Sequence, residues 1–203
     1  MDWIHIKLKA KKLNFKYLVL AVIFLIAAIL IFFRFPLITD NTMEPTIKKG
    51  SRVAVLKHTN ISKTHVVRGQ IVAYRHSKNV AISRIVGLAG DSVRLIDNYL
   101  FVNDEKQTKL DQNDLRDQLF NLDDEISQFH LFKESLQPVD HWVLLDMSAS
   151  FEKRNFPKDG KPLIVPSNSF FVMGDNRNLS IDTATWKIVN EKDIVGVPLN
   201  VKN

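Results

Sequence analysis

Three stretches of this sequence crowd hydroxyls, carboxylates and cations together. The first reads Asp40-Asn41-Thr42-Met43-Glu44-Pro45-Thr46. The second is Ser83-Arg84-Ile85-Val86-Gly87-Leu88-Ala89-Gly90-Asp91, with Arg68-Gly69-Gln70-Ile71-Val72 ahead of it. The third is Gly174-Asp175-Asn176-Arg177-Asn178-Leu179-Ser180-Ile181-Asp182, preceded by Val165-Pro166 and a β-prone run. Such side chains suit acyl hydrolysis when a hydroxyl lies beside a group that can take its proton. Without that neighbour a hydroxyl is a weak nucleophile at neutral pH. The chain has no Cys, which excludes a thiol nucleophile, a thiolate metal site and a disulfide scaffold together. His5, His58, His65, His130 and His141 show no ligand spacing and read as surface or partly packed side chains. No metal and no cofactor are expected.

The elements that must hold these stretches are mainly β. Short runs rich in β-branched and aromatic residues recur between turn signals at Arg52–Leu56, Gln70–Arg75, Val80–Gly87, Ser92–Leu95, Tyr99–Val102, Trp142–Leu145, Ser169–Met173 and Asp193–Leu199. Ser77–Asn79 reads as a hairpin turn, and Asp97-Asn98 as another. One stretch differs. From Asp111 to Leu136 the apolar residues Leu115, Leu119, Leu122, Ile126 and Phe129 are spaced by fours and threes, which predicts a helical insert over 111–136. Asp111, Asp114, Asp117, Asp123, Asp124 and Glu125 would form its outer face, either simply solvated or offered to a basic partner.

Ahead of this body lies a membrane anchor. Residues 17–33 read YLVLAVIFLIAAILIFF, and Phe35, Pro36, Leu37 and Ile38 carry the apolar run past Arg34. Seventeen helical residues cover roughly 26 Å, near the ~30 Å hydrocarbon core once Arg34 snorkels. The exit through Arg34-Phe35-Pro36 lacks the small-x-small pattern of a cleavable leader. The chain therefore divides into a basic tail (1–16), an anchor (17–38) and a body (39–203). Lys7, Lys9, Lys11, Lys12 and Lys16 stand before the span and only Arg34 just after it, which predicts a cytoplasmic tail and an extracytoplasmic body. Of the net charge of +6, the tail holds +4, while residues 35–203 carry 22 basic and 21 acidic side chains. The excess sits in the tail rather than on a folded face, so nucleic acid is not an expected partner. The lipid bilayer is.

Taken in order behind one amino-terminal anchor, the Met43-x-Pro45-Thr46, Ser83-Arg84…Gly87-Leu88 and Gly174-Asp175-Asn176-Arg177 segments resemble the type I signal peptidases over the whole chain. That resemblance implies a mostly β, membrane-anchored serine protease with a Ser-Lys dyad, which removes signal peptides from exported preproteins. The family's nucleophilic Ser falls at Thr42 and its general-base Lys at Ser83. Both depart from the pattern. Ser83 can hydrogen-bond but cannot act as a base near neutral pH, and the extra methyl of Thr42 stiffens χ1 and crowds an attack. Threonine proteases use a free terminal amine, and Thr42 lies inside the chain. His76 and Lys78 are close in sequence, but at a hairpin tip. With His76 opposite Val80, three residues from Ser83, about 10 Å would separate them along the strand, too far for proton transfer.

Other departures surround the same positions. The family often places a Ser two residues before the nucleophile to help hold the oxyanion; Asp40 stands there, with the wrong charge. Asp182 is followed by Thr183-Ala184 where the family has Ser-Arg, and Ser180 has no Lys to orient. Arg84 and Asp175 remain, and in the family such a pair ties two strands together. The resemblance thus supports a signal-peptidase-like protein, catalytically inactive or impaired, that binds exported preproteins or pilin subunits at the outer membrane face. Gram-positive bacteria encode similar proteins beside sortase-assembled pilus genes. The other reading is an active signal peptidase using Thr42 with an unrecognised base. Losing both members of a nucleophile–base unit costs roughly 10⁶ in rate in the serine-protease template.

Overall fold

A computed structural model describes residues 15–57, 66–96, 99–120, 129–145, 161–177, 186–199 and 201. The chain divides into two units, Met1–Phe33 and Arg34–Asn203. In the first, Phe15–Phe32 forms a helix of 18 residues with a mean hydropathy of 2.8 and none of its residues buried. A helix apolar on every side and covered by no protein is built for lipid. It ends earlier than the apolar run suggests. Phe35–Ile38 is not helix: Leu37 pairs with Arg52, the Ile38 N–H donates to the Ser51 carbonyl at 2.9 Å, and Ile38 is buried in the second unit. Pro36 lacks the N–H that a continuing helix would need.

The second unit is mainly β. The strands of its larger sheet follow the spatial order Val55–Lys57, Ile194–Pro198, Ile71–His76, Asn79–Gly87, Ser169–Met173, Trp186–Asn190, each antiparallel to the next. Two smaller antiparallel sheets accompany it. One orders Asp140–Leu145, His130–Ser135, Lys109–Asp111; the other orders Leu163–Ile164, Ser92–Ile96, Tyr99–Val102, Glu105–Lys106. The eight strands read from composition are all present, Tyr99–Val102 and Ser169–Met173 with the expected boundaries and the others moved by at most three residues. Asp97-Asn98 lies outside the described residues.

The insert differs from its expectation. Among its described residues, helix is found at a 3₁₀ turn at Asn113–Leu115 and a single α turn at Arg116–Leu119, between strands Lys109–Asp111 and His130–Ser135. Leu122 to Ile126, with Asp123, Asp124 and Glu125 of the acidic face, lies outside the described residues. Past Phe129 the strand alternative wins, because Leu131 and Phe132 reach the core by pairing with Leu144 and Val143. Two apolar clusters matter for the site. Val86, Val93, Leu100, Phe132, Phe171 and Met173 fill one; Ile38, Met43, Ile47, Val53, Val55 and Ile71 belong to the other.

Candidate active site

The segment carrying Thr42 is held from below by its neighbours. Met43 is 1% exposed in the second apolar cluster, Pro45 is buried, and the Ile47 N–H donates to the Met43 carbonyl at 2.8 Å. Backbone contacts fix it from the side. The Thr42 carbonyl accepts from the Asn176 N–H at 3.0 Å, and the Asn176 side chain donates to the Asn41 carbonyl at 3.1 Å. Position 174 must be glycine for this, since a Cβ there would stand 2.4 Å from the Thr42 carbonyl oxygen. The Gly174-Asp175-Asn176 stretch thus sets where Thr42 sits.

The Thr42 side chain turns back on its own segment. Its hydroxyl donates to Asp40 Oδ1, and its backbone N–H donates to the same oxygen at 3.0 Å. Ser83 is placed by the hairpin. It lies opposite Val72, and Tyr74, two residues along the same face of the neighbouring strand, brings its phenol to 3.2 Å from Ser83 Oγ. Burial pushes the Tyr74 hydroxyl upward, the bond to Ser83 opposes this, and the Asp40 charge adds to the rise. The phenol therefore stays protonated. Thr42 thus faces a carboxylate and Ser83 a neutral phenol.

His76 is further from Ser83 than its sequence spacing suggests. The hairpin closes with only Ser77 and Lys78 in the loop, Ser77 at φ 56°, so His76 pairs with Asn79 rather than Val80. That separates it from Ser83 by four residues, about 13 Å along the strand. His76 is exposed and its Nδ1 lies 2.6 Å from Lys187 Nζ. Lys78 is exposed at the loop.

Behind these positions lies a buried network of charges. Arg84 and Asp175, both fully buried, form a two-pronged pair at 2.8 and 2.7 Å, and Arg84 also donates to the Gly69 carbonyl at 2.6 Å. Arg84 pairs in register with Met173, so the ion pair ties strand Asn79–Gly87 to the turn that follows Ser169–Met173. The Thr46 hydroxyl donates to Asp175, tying the Thr42 segment to the same pair. Burial alone would raise the Asp175 carboxyl, but the Arg84 charge and hydrogen bonds hold it below the usual carboxylate range. Ser180, Asp182 and Ala184 lie outside the described residues.

Of the other members of this network, Glu134 and His141 were not read as site residues from sequence, and Arg177 stood only within the Gly174-Asp175-Asn176-Arg177 segment. Arg177 donates to Glu134 at 2.7 Å and to the Gly174 carbonyl at 2.8 Å. His141, expected at or near the surface, is fully buried, with Nε2 3.4 Å from Glu134 and 4.0 Å from Asp175. Burial opposes the Glu134 charge, yet Arg177 and His141 bring its carboxyl down to about 2. Burial likewise lowers His141, aided by the Arg84 charge. The available signal was cross-strand: Glu134 and His141 face one another in the His130–Ser135 and Asp140–Leu145 pairing. Among the described residues no group of His, Cys, Asp or Glu could hold a metal ion.

The sequence profile of the signal peptidase, peptidase S26 family matches residues 12–199. The chain belongs to that family. Relatives carry the same name. Signal peptidase IB of Staphylococcus aureus strain COL is 27% identical over 161 residues, covering 78% of this chain and 72% of the relative. Signal peptidase I of Buchnera aphidicola subsp. Acyrthosiphon pisum is 27% identical over 209 residues, covering 81% of this chain and 66% of the relative. The crystal structure of a signal peptidase I from Enterococcus faecalis V583 aligns at 22% identity with a TM-score of 0.36, covering 66% of this chain and 97% of that one. With its apolar amino-terminal helix, this S26 chain is a signal peptidase I-like membrane protein.

Proposed function

We propose that this S26 protein binds exported polypeptides at the outer face of the membrane and has little or no peptidase activity of its own. The observation that carries this is the pairing of the two dyad positions. Thr42 gives both its donors to the Asp40 carboxylate, and Ser83 bonds to the Tyr74 phenol. A carboxylate is a poor acceptor for a hydroxyl proton at neutral pH, and a protonated phenol accepts none. In the same reading the helix Phe15–Phe32 is a single span, the basic tail is cytoplasmic, and pilin subunits destined for sortase assembly are among the chains bound. The five lysines before the span support the orientation. Protease added to intact spheroplasts should digest the body and spare the tail.

The competing reading is an active signal peptidase in which Thr42 attacks. The names of the relatives favour it, and Asp40 would then be the proton acceptor. Incubation of the purified full-length chain with a preprotein separates the two. Turnover near ordinary peptidase rates, lost in Thr42→Ala, would overturn the binding reading. Intact preprotein after hours supports it.

A further inference from the structure

We infer that Asp40 makes this site selective for uncut polypeptide over chains ending in a free carboxylate. The inference rests on the binding role proposed above and names the class of partner. In acyl-transfer sites the backbone N–H of the nucleophile is a donor to the substrate's carbonyl oxygen. Here the Thr42 N–H already donates to Asp40 Oδ1 at 3.0 Å, and the Thr42 hydroxyl donates to the same oxygen. An anion belonging to the protein occupies the place where an oxyanion would be stabilised.

Its reach extends past Thr42. Asp40 is exposed, so a bound chain meets its charge directly. The same charge acts on Tyr74, whose hydroxyl bonds Ser83, so both dyad positions lie in one negative potential. A peptide group passing Thr42 is neutral and tolerates that potential. A carboxyl terminus at the same point brings a second negative charge to donors that are already taken. Between solvent-exposed charges the penalty is modest, about fivefold in affinity, and it weakens as salt rises. A continuous chain is retained and a cut one is rejected.

The test uses the full-length protein in nanodiscs and one signal peptide in three forms. The first ends at its cleavage site as the free acid, the second is the same peptide amidated, and the third continues four residues further. Fluorescence anisotropy should show the amide and the extended peptide binding about fivefold more tightly than the acid in low salt. The gap should narrow at 0.5 M salt and vanish in Asp40→Asn, with wild-type melting temperature. Equal affinity for all three peptides, or tighter binding of the acid, overturns the selectivity and leaves the binding role standing. Failure of all three to bind overturns the binding role and the selectivity together.

Discussion

The two halves of this site have been treated differently by the sequence. Arg84, Asp175, Glu134 and Arg177 form a buried network in which the carboxylates are bridged by guanidinium donors. In contrast, the side chains of Thr42 and Ser83 bond, among the described residues, to Asp40 and Tyr74. A frame that orients a segment must satisfy every buried charge or fail to fold. Thr42 and Ser83 carry no charge, so a single hydrogen bond satisfies each hydroxyl, even at the buried Ser83. The difference teaches that the frame satisfies its buried charges through its own ion pairs, whatever chemistry positions 42 and 83 perform.

Breaking the frame should therefore cost most. Arg84→Ala leaves Asp175 buried without its partner, and the expected loss is about 3–5 kcal/mol, read by urea unfolding. Thr42→Ala should cost under ~1 kcal/mol on the same assay, because its hydrogen bonds are local. Equal losses would erase the contrast between the two halves.

Rebuilding the dyad sharpens the comparison from the other side. Thr42→Ser with Ser83→Lys restores the residue types, but Asp40 still occupies the donors and Tyr74 still crowds position 83. Weak cleavage at most is expected. Adding Asp40→Ser should raise the rate by about 10²-fold, the scale of one oxyanion donor, measured on a purified preprotein. If the double mutant alone reached ordinary peptidase rates, Asp40 and Tyr74 would not be obstacles.

Acid should act on the frame. Glu134 and Asp175 are held low in the fold, so their contribution is present above the unfolded carboxylate pKa near 4 and is lost as pH falls through their folded values, about 2 for Glu134. His141 is also lowered, so the unfolded chain binds its proton first and stability declines as pH drops below about 6.5. Glu134, Asp175 and Arg84 all face this imidazole. Unfolding free energy measured from pH 7 to 5 should fall in the wild type and fall less in His141→Gln.

Gly174→Ala is the subtlest case. Its Cβ would press on the Thr42 carbonyl, and an expected cost of about 1–3 kcal/mol would be accompanied by weaker binding of signal peptide. Unchanged binding would detach position 174 from the site.

Much of this was legible before any coordinates. β-branched runs between turn residues located the strands, because a half-buried pleated surface favours those types locally. Position 40 could be recognised as carrying the wrong charge. What stayed hidden depended on register. Tyr74 reaches Ser83 only because Val72 lies opposite it, and a two-residue loop instead of a three-residue one moved His76 away. Glu134 misled in another way: a buried carboxylate inside His130–Ser135 spoils the alternation that marks a strand, and the fours and threes leading up to Phe129 then looked like the longer pattern. Its partners, His141 and Arg177, lie on separate segments, so no single window shows why the charge is affordable.

The main-chain bond from Asn176 to the Thr42 carbonyl has a consequence for how this protein can change over time. Beside the bonds of Thr42 to Asp40, its segment is fixed through the Thr42 carbonyl, through Met43 and through Thr46, and these three contacts require no particular side chain at position 42. A small side chain can therefore be exchanged at position 42 at little cost to folding, whereas the buried Ser83, bonded to Tyr74, tolerates less. A lineage built on this frame could exchange the hydroxyl at position 42 without passing through an unfolded ancestor.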